Sequence, residues 1–489
     1  MQAEQIYRQV LNSQPNNIYA SNYLGVIALQ KGYIDAAIDL FNKTIAADPG
    51  YADAYNNLGS AYVQACDSDS AIQSFLKAVS LDQSYVEAFY NLATLFEKKN
   101  DVVKARDYLD KVWQLGCPRE RSLLLEAKIL YREENIELAL EKVLEIDLSK
   151  KDDELVAEIL FFRGKMFDHL NKVDEAILDF INANKLARQN SEKNIDGDLF
   201  FNEIELCSRE FKKEWVQSWS PIVPNPKDYP SPVFLVGFPR SGTTLLDQIL
   251  GSHPEIDVLE EKPLVDSLIQ DLKGAGSYPH VLENLTMQQV EDLREKYWAE
   301  AEDFLGKRLP EGGILVDKQP FNITKIGTIL RIFPDAKIIL ALRHPLDVCL
   351  SSFMQNFSLN KAMINFTSLA GAANAYVKSI DLWRQYTEVF EPNCHMVKYE
   401  NVVENFEIEV RELISFLEIE WNDLVLSYHE RVTESKKTIS TPSFRDVSKP
   451  IFSRAKYRWQ RYRKHLMPEI EKLSGHIAYF GYKTDYPDI

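Results

Sequence analysis

The sequence predicts two folds in series, α + α/β: an α-solenoid over residues 1–190 and, from residue 232, an α/β domain with a mainly parallel sheet. Three observations carry this. The first part repeats with a period of about 34 residues, the second alternates short β-rich runs with helical stretches, and one strand-to-helix junction reads VGFPRSGTT from Val236 to Thr244. A strand, a glycine-containing loop and a helix start bind phosphate through backbone N–H groups and the helix N-terminus. Gly237 and Gly242 have the spacing of G-x-x-x-x-G-K-[ST], yet Thr243 stands where that loop has lysine. The ligand expected here bears phosphate but does without the lysine that serves metal-bound triphosphates.

The repeats come first along the chain. Pro15, Pro49 and Gln83 are evenly spaced at that period, with Leu24-Gly25, Leu58-Gly59 and Leu92-Ala93 recurring between them at one phase. Ala37, Ala71, Ala105 and Ala139 keep the period, and one helical turn after each comes Phe41, Phe75, Leu109 or Val143. Small residues at one place let two helices approach, and large ones a turn later fill the groove between successive pairs. This pattern resembles the tetratricopeptide repeat. Weaker units span about 120–153 and 157–190, the latter with Gly164, Phe167, Ala176, Phe180 and Ala183, and residues 1–15 match the second helix of a further unit. Stacked helix pairs form long grooves, so this region is expected to bind a protein or peptide partner.

Between residues 191 and 231 periodicity fades into a helical connector and the linker SPIVPNPKDYPSP, whose five prolines block helix and central strand. Beyond it, β-rich runs at 233–237, 314–316, 337–342 and 395–398 alternate with helical stretches at 287–305, 322–332, 367–388 and 405–417.

Composition limits the functions open to such a chain. Its 489 residues, 45% hydrophobic and 26% charged, describe a globular protein of two or three domains. No apolar run reaches the roughly 20 residues a bilayer needs, and the start MQAEQIYRQVL lacks a signal-peptide core, so a cytoplasmic chain without a membrane span is expected. Cys66, Cys117, Cys207, Cys349 and Cys394 lack C-x-x-C spacing and read as ordinary buried thiols. A net charge of −17 argues against binding nucleic acid. Against that background, Arg431 to Lys464 holds eleven basic residues and only Glu434 and Asp446, a block that calls for an anion or a solvated face.

Parallel sheets collect ligands at the C-terminal ends of their strands. After the first strand, Arg240 offers a charge-assisted bond, Thr243 and Thr244 offer hydroxyls, and Ser241 and Gly242 offer backbone N–H groups. KIILAL runs into RHPLDVCLSSF, setting Arg343 at a strand end, Pro345 in a first helical turn and Ser351 two turns in, where arginine and serine can grip a second phosphate. GILV runs into DKQPFN with Lys318, and SHPEIDVLEEKP sets Glu260 and Glu261 in a loop at the same edge.

The series PRSGTT, SHP, EE, DK-x-PFN, R-x-P-L-D-x-C-x-S-S, VKYE and TPSFRDVSKP resembles the sulfotransferase family, closest to its protein-tyrosine and tetratricopeptide-fused branches, over residues 232–489. The resemblance implies a P-loop-type sulfotransferase domain whose donor, 3′-phosphoadenosine 5′-phosphosulfate (PAPS), has two separate phosphates and needs no metal. Arg240 to Thr244 then match the loop for the 5′-phosphosulfate, Arg343 and Ser351 the grip on the 3′-phosphate, Tyr399 a residue near the nucleotide, and Ser443 and Lys449 the C-terminal donor contacts. Lys318 matches the lysine that neutralises the leaving phosphate, with Ser443 beside it, and Glu261 matches the base that takes the acceptor's proton. His253 is the rival base. Two departures stand out: RHPL where the tyrosyl branch has R-D-G-R, and Lys262 where it has threonine. They leave the acceptor open among peptide tyrosine, sugar hydroxyl and small phenol, and the oligomeric state is open too. Two rival functions remain, a repeat adaptor whose C-terminal domain has lost activity and a P-loop kinase that would depend on magnesium.

Overall fold

In the repeats, the periodic alanines are the contact points of paired helices. Ala37, Ala71, Ala105 and Ala139 have no exposed surface, and Phe41, Phe75, Leu109 and Val143 are buried beside them. The pairs are Ile18–Gln30 with Ile34–Ala47, Ala52–Gln64 with Ser68–Leu81, Val86–Lys98 with Val102–Gln114, and Arg119–Arg132 with Ile136–Leu144, preceded by Gln2–Ser13 and followed by the helices Asp153–His169 and Val173–Asn190. Gly25 and Gly59 are glycine for want of room: a Cβ would lie 2.5 Å and 2.6 Å from the rings of Phe41 and Phe75. Within each pair the turn uses a left-handed residue, Gly32, Cys66, Asn100 and Glu134, which recur at the same period, and Asn171 does the same between the two helices that follow. Their types differ, so this half of the period is silent in the sequence. Cys66, expected among buried thiols, is therefore exposed, while Cys207 and Cys349 are buried.

The computed structural model describes residues 2–116, 119–191, 195–223, 230–310, 312–429 and 456–485. The chain divides into two compact units, residues 1–176 and 177–489.

The second unit is built on five parallel strands, β1 Val233–Gly237, β2 Ile256–Glu260, β3 Ile314–Lys318, β4 Ile338–Leu342 and β5 Cys394–Lys398, in the order β2-β3-β1-β4-β5. Helices in every crossover cover the faces, so β1 and β4 are buried throughout and read as continuous apolar runs. Leu235, Ile249, Leu250, Val316 and Ile339 lie in the core between sheet and helices. From β1 the chain moves outward to β2, returns through β3, and crosses β1 to reach β4. Strand order thus reverses beside β1, and the crevice beyond the carboxyl ends of β1 and β4 is where such sheets bind ligands.

The sheet has one strand more than the sequence suggests. Ile256–Glu260 pairs with β3 along its length, so Glu260 ends a strand instead of lying in a loop, and β3 runs on to Lys318. Asp257 and Glu260 hide β2 from a hydrophobicity reading; as an edge strand it is buried only in part. The stretch 322–332 divides into a 3-10 turn, Pro320–Thr324, and a helix, Ile326–Ile332.

Candidate active site

Beyond β1 the chain turns through Arg240 and Gly242 into the helix Thr243–Gly251. A Cβ at Gly237 would stand 2.6 Å from Ser241 Oγ and 2.7 Å from the Ala341 carbonyl oxygen. At Gly242, φ is 102° and a Cβ would stand 3.1 Å from the Tyr399 ring. Arg240 itself has φ 73°, a strained setting for a residue with a side chain. Left-handed residues in such a turn aim successive N–H groups into one concavity. Ser241, Thr243 and Thr244 are all buried there.

Arg343 and Ser351 converge on the same place from β4. The Arg240 Nε donates to Ser351 Oγ at 3.2 Å, and Arg343 Nη1 lies 3.5 Å from the Arg240 carbonyl. The Arg343 guanidinium sits 5.0 Å from the centre of the Tyr399 ring, with Asp347 Oδ2 at 4.0 Å. Burial pushes the Asp347 carboxyl up while Arg343 opposes the shift, and its Oδ1 accepts the Trp459 N–H at 2.8 Å.

His344, in the RHPL departure, is a brace. Its Nδ1 accepts the Leu346 N–H at 3.3 Å, capping the helix Pro345–Phe353, so Nε2 carries the proton and donates to the Lys483 carbonyl at 2.8 Å. Burial lowers its pKa to about 4, so the ring stays neutral. The His344 backbone N–H donates to Glu400 Oε1 at 2.8 Å, and Tyr482 Oη donates to Glu400 Oε2 at 2.7 Å. This network locks the strand end that presents Arg343.

At the end of β3, Lys318 is fully buried, not the surface lysine its type suggests. Its ammonium lies 2.9 Å from Glu261 Oε1, 3.2 Å from Asp247 Oδ2 and 3.3 Å from Glu260 Oε1. Burial alone would lower the Lys318 pKa, but the three carboxylates outweigh it and hold the ammonium charged. With one ammonium for three carboxylates, the wholly buried Asp247 yields: burial, with Glu260 adding to it, raises its pKa to about 7. Glu261 turns out of β2 at φ 51°, its N–H donating to the Lys318 carbonyl at 2.8 Å, and its side chain is 43% exposed. The adjacent Asp317 faces the other way and accepts the Tyr297 hydroxyl at 3.0 Å.

His253 Nδ1 accepts the Glu255 N–H at 3.2 Å, so Nε2 donates to the Glu420 carbonyl at 2.9 Å, and both ring nitrogens are occupied. Ser443 and Lys449 lie outside the described residues, as does most of the basic block. Among the described residues no group of three or more His, Cys, Asp or Glu could hold a metal ion, and no helix is long and apolar enough to cross a membrane. Sequence reasoning assigns no role to Asp247, Asp347 or Glu400, although Asp347 and Glu400 stand in the motifs R-x-P-L-D-x-C-x-S-S and VKYE. Asp247 had a signal, one carboxylate inside the apolar run TTLLDQIL.

The loop, the parallel sheet and the order of the site elements define a class, and residues 232–423 do match the sulfotransferase family, while residues 1–52 and 52–85 match tetratricopeptide-repeat models. The resemblance expected from the motifs is thereby borne out. Among individual proteins, the chain is similar to an uncharacterized protein of Aquifex aeolicus, 30% identical over 64% of this chain and 41% of that protein. It is also similar to protein-tyrosine sulfotransferase A of Caenorhabditis elegans, at 27% identity over 46% of this chain and 60% of that one, and to protein-tyrosine sulfotransferase 1 of Danio rerio, at 28% over 49% and 68%. The chain spans about half the length of the first two of these relatives.

Proposed function

We propose that this chain moves a sulfuryl group from PAPS to an acceptor hydroxyl, peptide tyrosine being the acceptor named in two of its relatives. The observation that carries the reading is the meeting of two separate anion grips at the crevice between β1 and β4. One is the loop with no room for side chains at Gly237 and Gly242; the other is Arg343 with Ser351. A nucleotide with phosphates at both ends of its ribose needs both grips, whereas a linear triphosphate needs only the loop and a metal.

When bound, PAPS supplies a sulfuryl group on a phosphate leaving group. The residues that hold it in this reading are Arg240, Ser241, Gly242, Thr243, Thr244, Arg343, Ser351 and Tyr399, with Ser443 and Lys449 assigned by resemblance alone. Sulfuryl transfer is an in-line displacement, so the chain's contribution is mainly positioning and charge compensation. Lys318, held charged, suits the second task and cannot act as a base. Glu261 is the exposed carboxylate at that strand end and takes the proton of an acceptor hydroxyl, which is hard to ionise unaided at a phenolic pKa of about 10. The repeats of residues 1–190 bind a polypeptide partner or substrate and take no part in the chemistry.

The deciding experiment is a calorimetric titration with adenosine 3′,5′-bisphosphate, with and without magnesium. Binding indifferent to the metal is expected; tighter binding of magnesium-ATP overturns the reading in favour of a kinase.

A further inference from the structure

A cleft of about 580 Å³ opens beside Glu261, a volume suited to a drug-sized molecule. One wall is aromatic. Phe321 follows closely on Lys318, and the Phe200 ring meets it edge-on with centroids 5.1 Å apart. Phe200 comes from the helix Asp198–Glu210, ahead of the linker, so a stretch that reads as connector forms part of the cleft. The Tyr278 hydroxyl is paired with Thr328 Oγ1 at 2.7 Å, and Met363 extends the apolar surface.

The charges of the lining cancel: Glu203, Glu261 and Asp266 against Lys273, Lys325 and Lys361. Each of the three lysines also has a carboxylate beside it, two of them sharing one. Lys325 bonds Asp266 at 2.7 Å, Lys361 and Lys273 both turn to Glu203, and Glu261 bonds Lys318. An anionic acceptor would find each ammonium of the lining already answered. At the reacting end it would meet Glu261, with Glu260 close behind it, beside a single lysine. An uncharged ring pays neither cost and covers the aromatic wall.

Resting on the sulfotransferase reading, we propose that the acceptor is an uncharged aromatic hydroxyl compound lying against Phe200 and Phe321 with its hydroxyl toward Glu261, and not a tyrosine set among acidic residues. The probe is 2-naphthol, whose fluorescence reports binding to the full-length protein with or without donor. Three results are expected. Binding saturates and weakens at least tenfold in Met363→Arg, which adds an unmatched cation to the wall. With PAPS present, 2-naphthol is turned over at least tenfold more efficiently than a tyrosyl peptide flanked by aspartates. Met363→Arg then shifts that ratio toward the peptide. Absent saturation, a preference for the acidic peptide, or a ratio unmoved by Met363→Arg each overturns the proposal. Naphthol binding in a protein that does not bind adenosine 3′,5′-bisphosphate would instead overturn sulfuryl transfer and leave the chemistry assigned to the cleft standing.

Discussion

The ends of β3 and β4 each present one buried cation, and the described carboxylates beside them differ in number and distance. Lys318 has three carboxylates within 3.3 Å. Arg343 has Asp347 at 4.0 Å and also faces a tyrosine ring and a backbone carbonyl. A cation compensated in advance gains little by meeting an anion at rest, because it must give up one partner to take another. Lys318 is therefore suited to charge that develops during reaction. Arg343, set beside the loop backbone and the Arg240–Ser351 pair, is suited to hold an anion throughout. The β3 end should govern turnover and the β4 end affinity.

The largest effect tests the β3 end. Glu261→Gln should lower turnover on a hydroxyl acceptor by roughly 10²- to 10⁴-fold, the usual contribution of a positioned general base. Affinity for adenosine 3′,5′-bisphosphate should stay within a few-fold. Glu260→Gln should be far milder, since that carboxylate is the less exposed of the two and lies farther from Lys318. Normal turnover in Glu261→Gln together with loss in Glu260→Gln or His253→Ala would move the base elsewhere, although His253 has no ring nitrogen to spare.

Next in size is a pH effect on stability. Asp247 holds its proton to about pH 7 when folded, against 3.8 as the ordinary value. Between those values the folded state binds a proton the unfolded chain has lost, so this group's contribution to stability falls as pH rises from about 4 to about 7. The amount is on the order of a few kcal/mol. Asp317, also raised to about 7 by burial, adds a fall of the same sign. Urea midpoints at pH 5 and pH 7.5 should therefore differ less in Asp247→Asn than in the unaltered protein. Equal differences would mean that Asp247 is ionised throughout and Lys318 fully satisfied by it.

At the β4 end, Arg343→Ala should weaken adenosine 3′,5′-bisphosphate by about 2 kcal/mol, roughly 30-fold, as for a lost charge-assisted bond. Adenosine 5′-phosphate, which lacks the 3′ group, should be barely affected in the same calorimetric assay. Matching losses for both ligands would set Arg343 on the 5′ side and undo the two-grip reading.

How much of this was legible beforehand follows from how locally each feature is encoded. Contacts that recur at a fixed spacing, such as Gly25 against Phe41 and Gly59 against Phe75, leave a period in the sequence, so the helical repeats could be read. The loop could be read because Gly237 meets Ser241 within the same turn and Gly242 takes a positive φ there, although Ala341 and Tyr399 press on the two glycines from far along the chain. Edge strand β2 could not, since Asp257 and Glu260 break its apolar pattern while hydrogen bonds to β3, far later in the chain, hold it in place. Asp247 and Lys318 are likewise distant in sequence, and only the pairing of β1 with β3 makes one the partner of the other. Lys318 looked like a surface residue for the same reason: residue type alone cannot show that its charge is answered in the interior.

The smallest effect probes whether the β4 end is a standing grip. Ser351 accepts the Arg240 Nε–H at 3.2 Å, so it joins the loop's strained arginine to the helix that follows Arg343. Ser351→Ala removes one neutral acceptor and should cost about 1 kcal/mol, roughly fivefold, in bisphosphate affinity. Because Ser351 and Arg343 would act on one phosphate, their losses should fall short of additive in the double variant. Turnover at saturating donor should not change, since a grip made equally before and during reaction stabilises both states alike. A fall in kcat with bisphosphate affinity intact would show that the β4 end also works through the reaction, and the division between the two strand ends would fail.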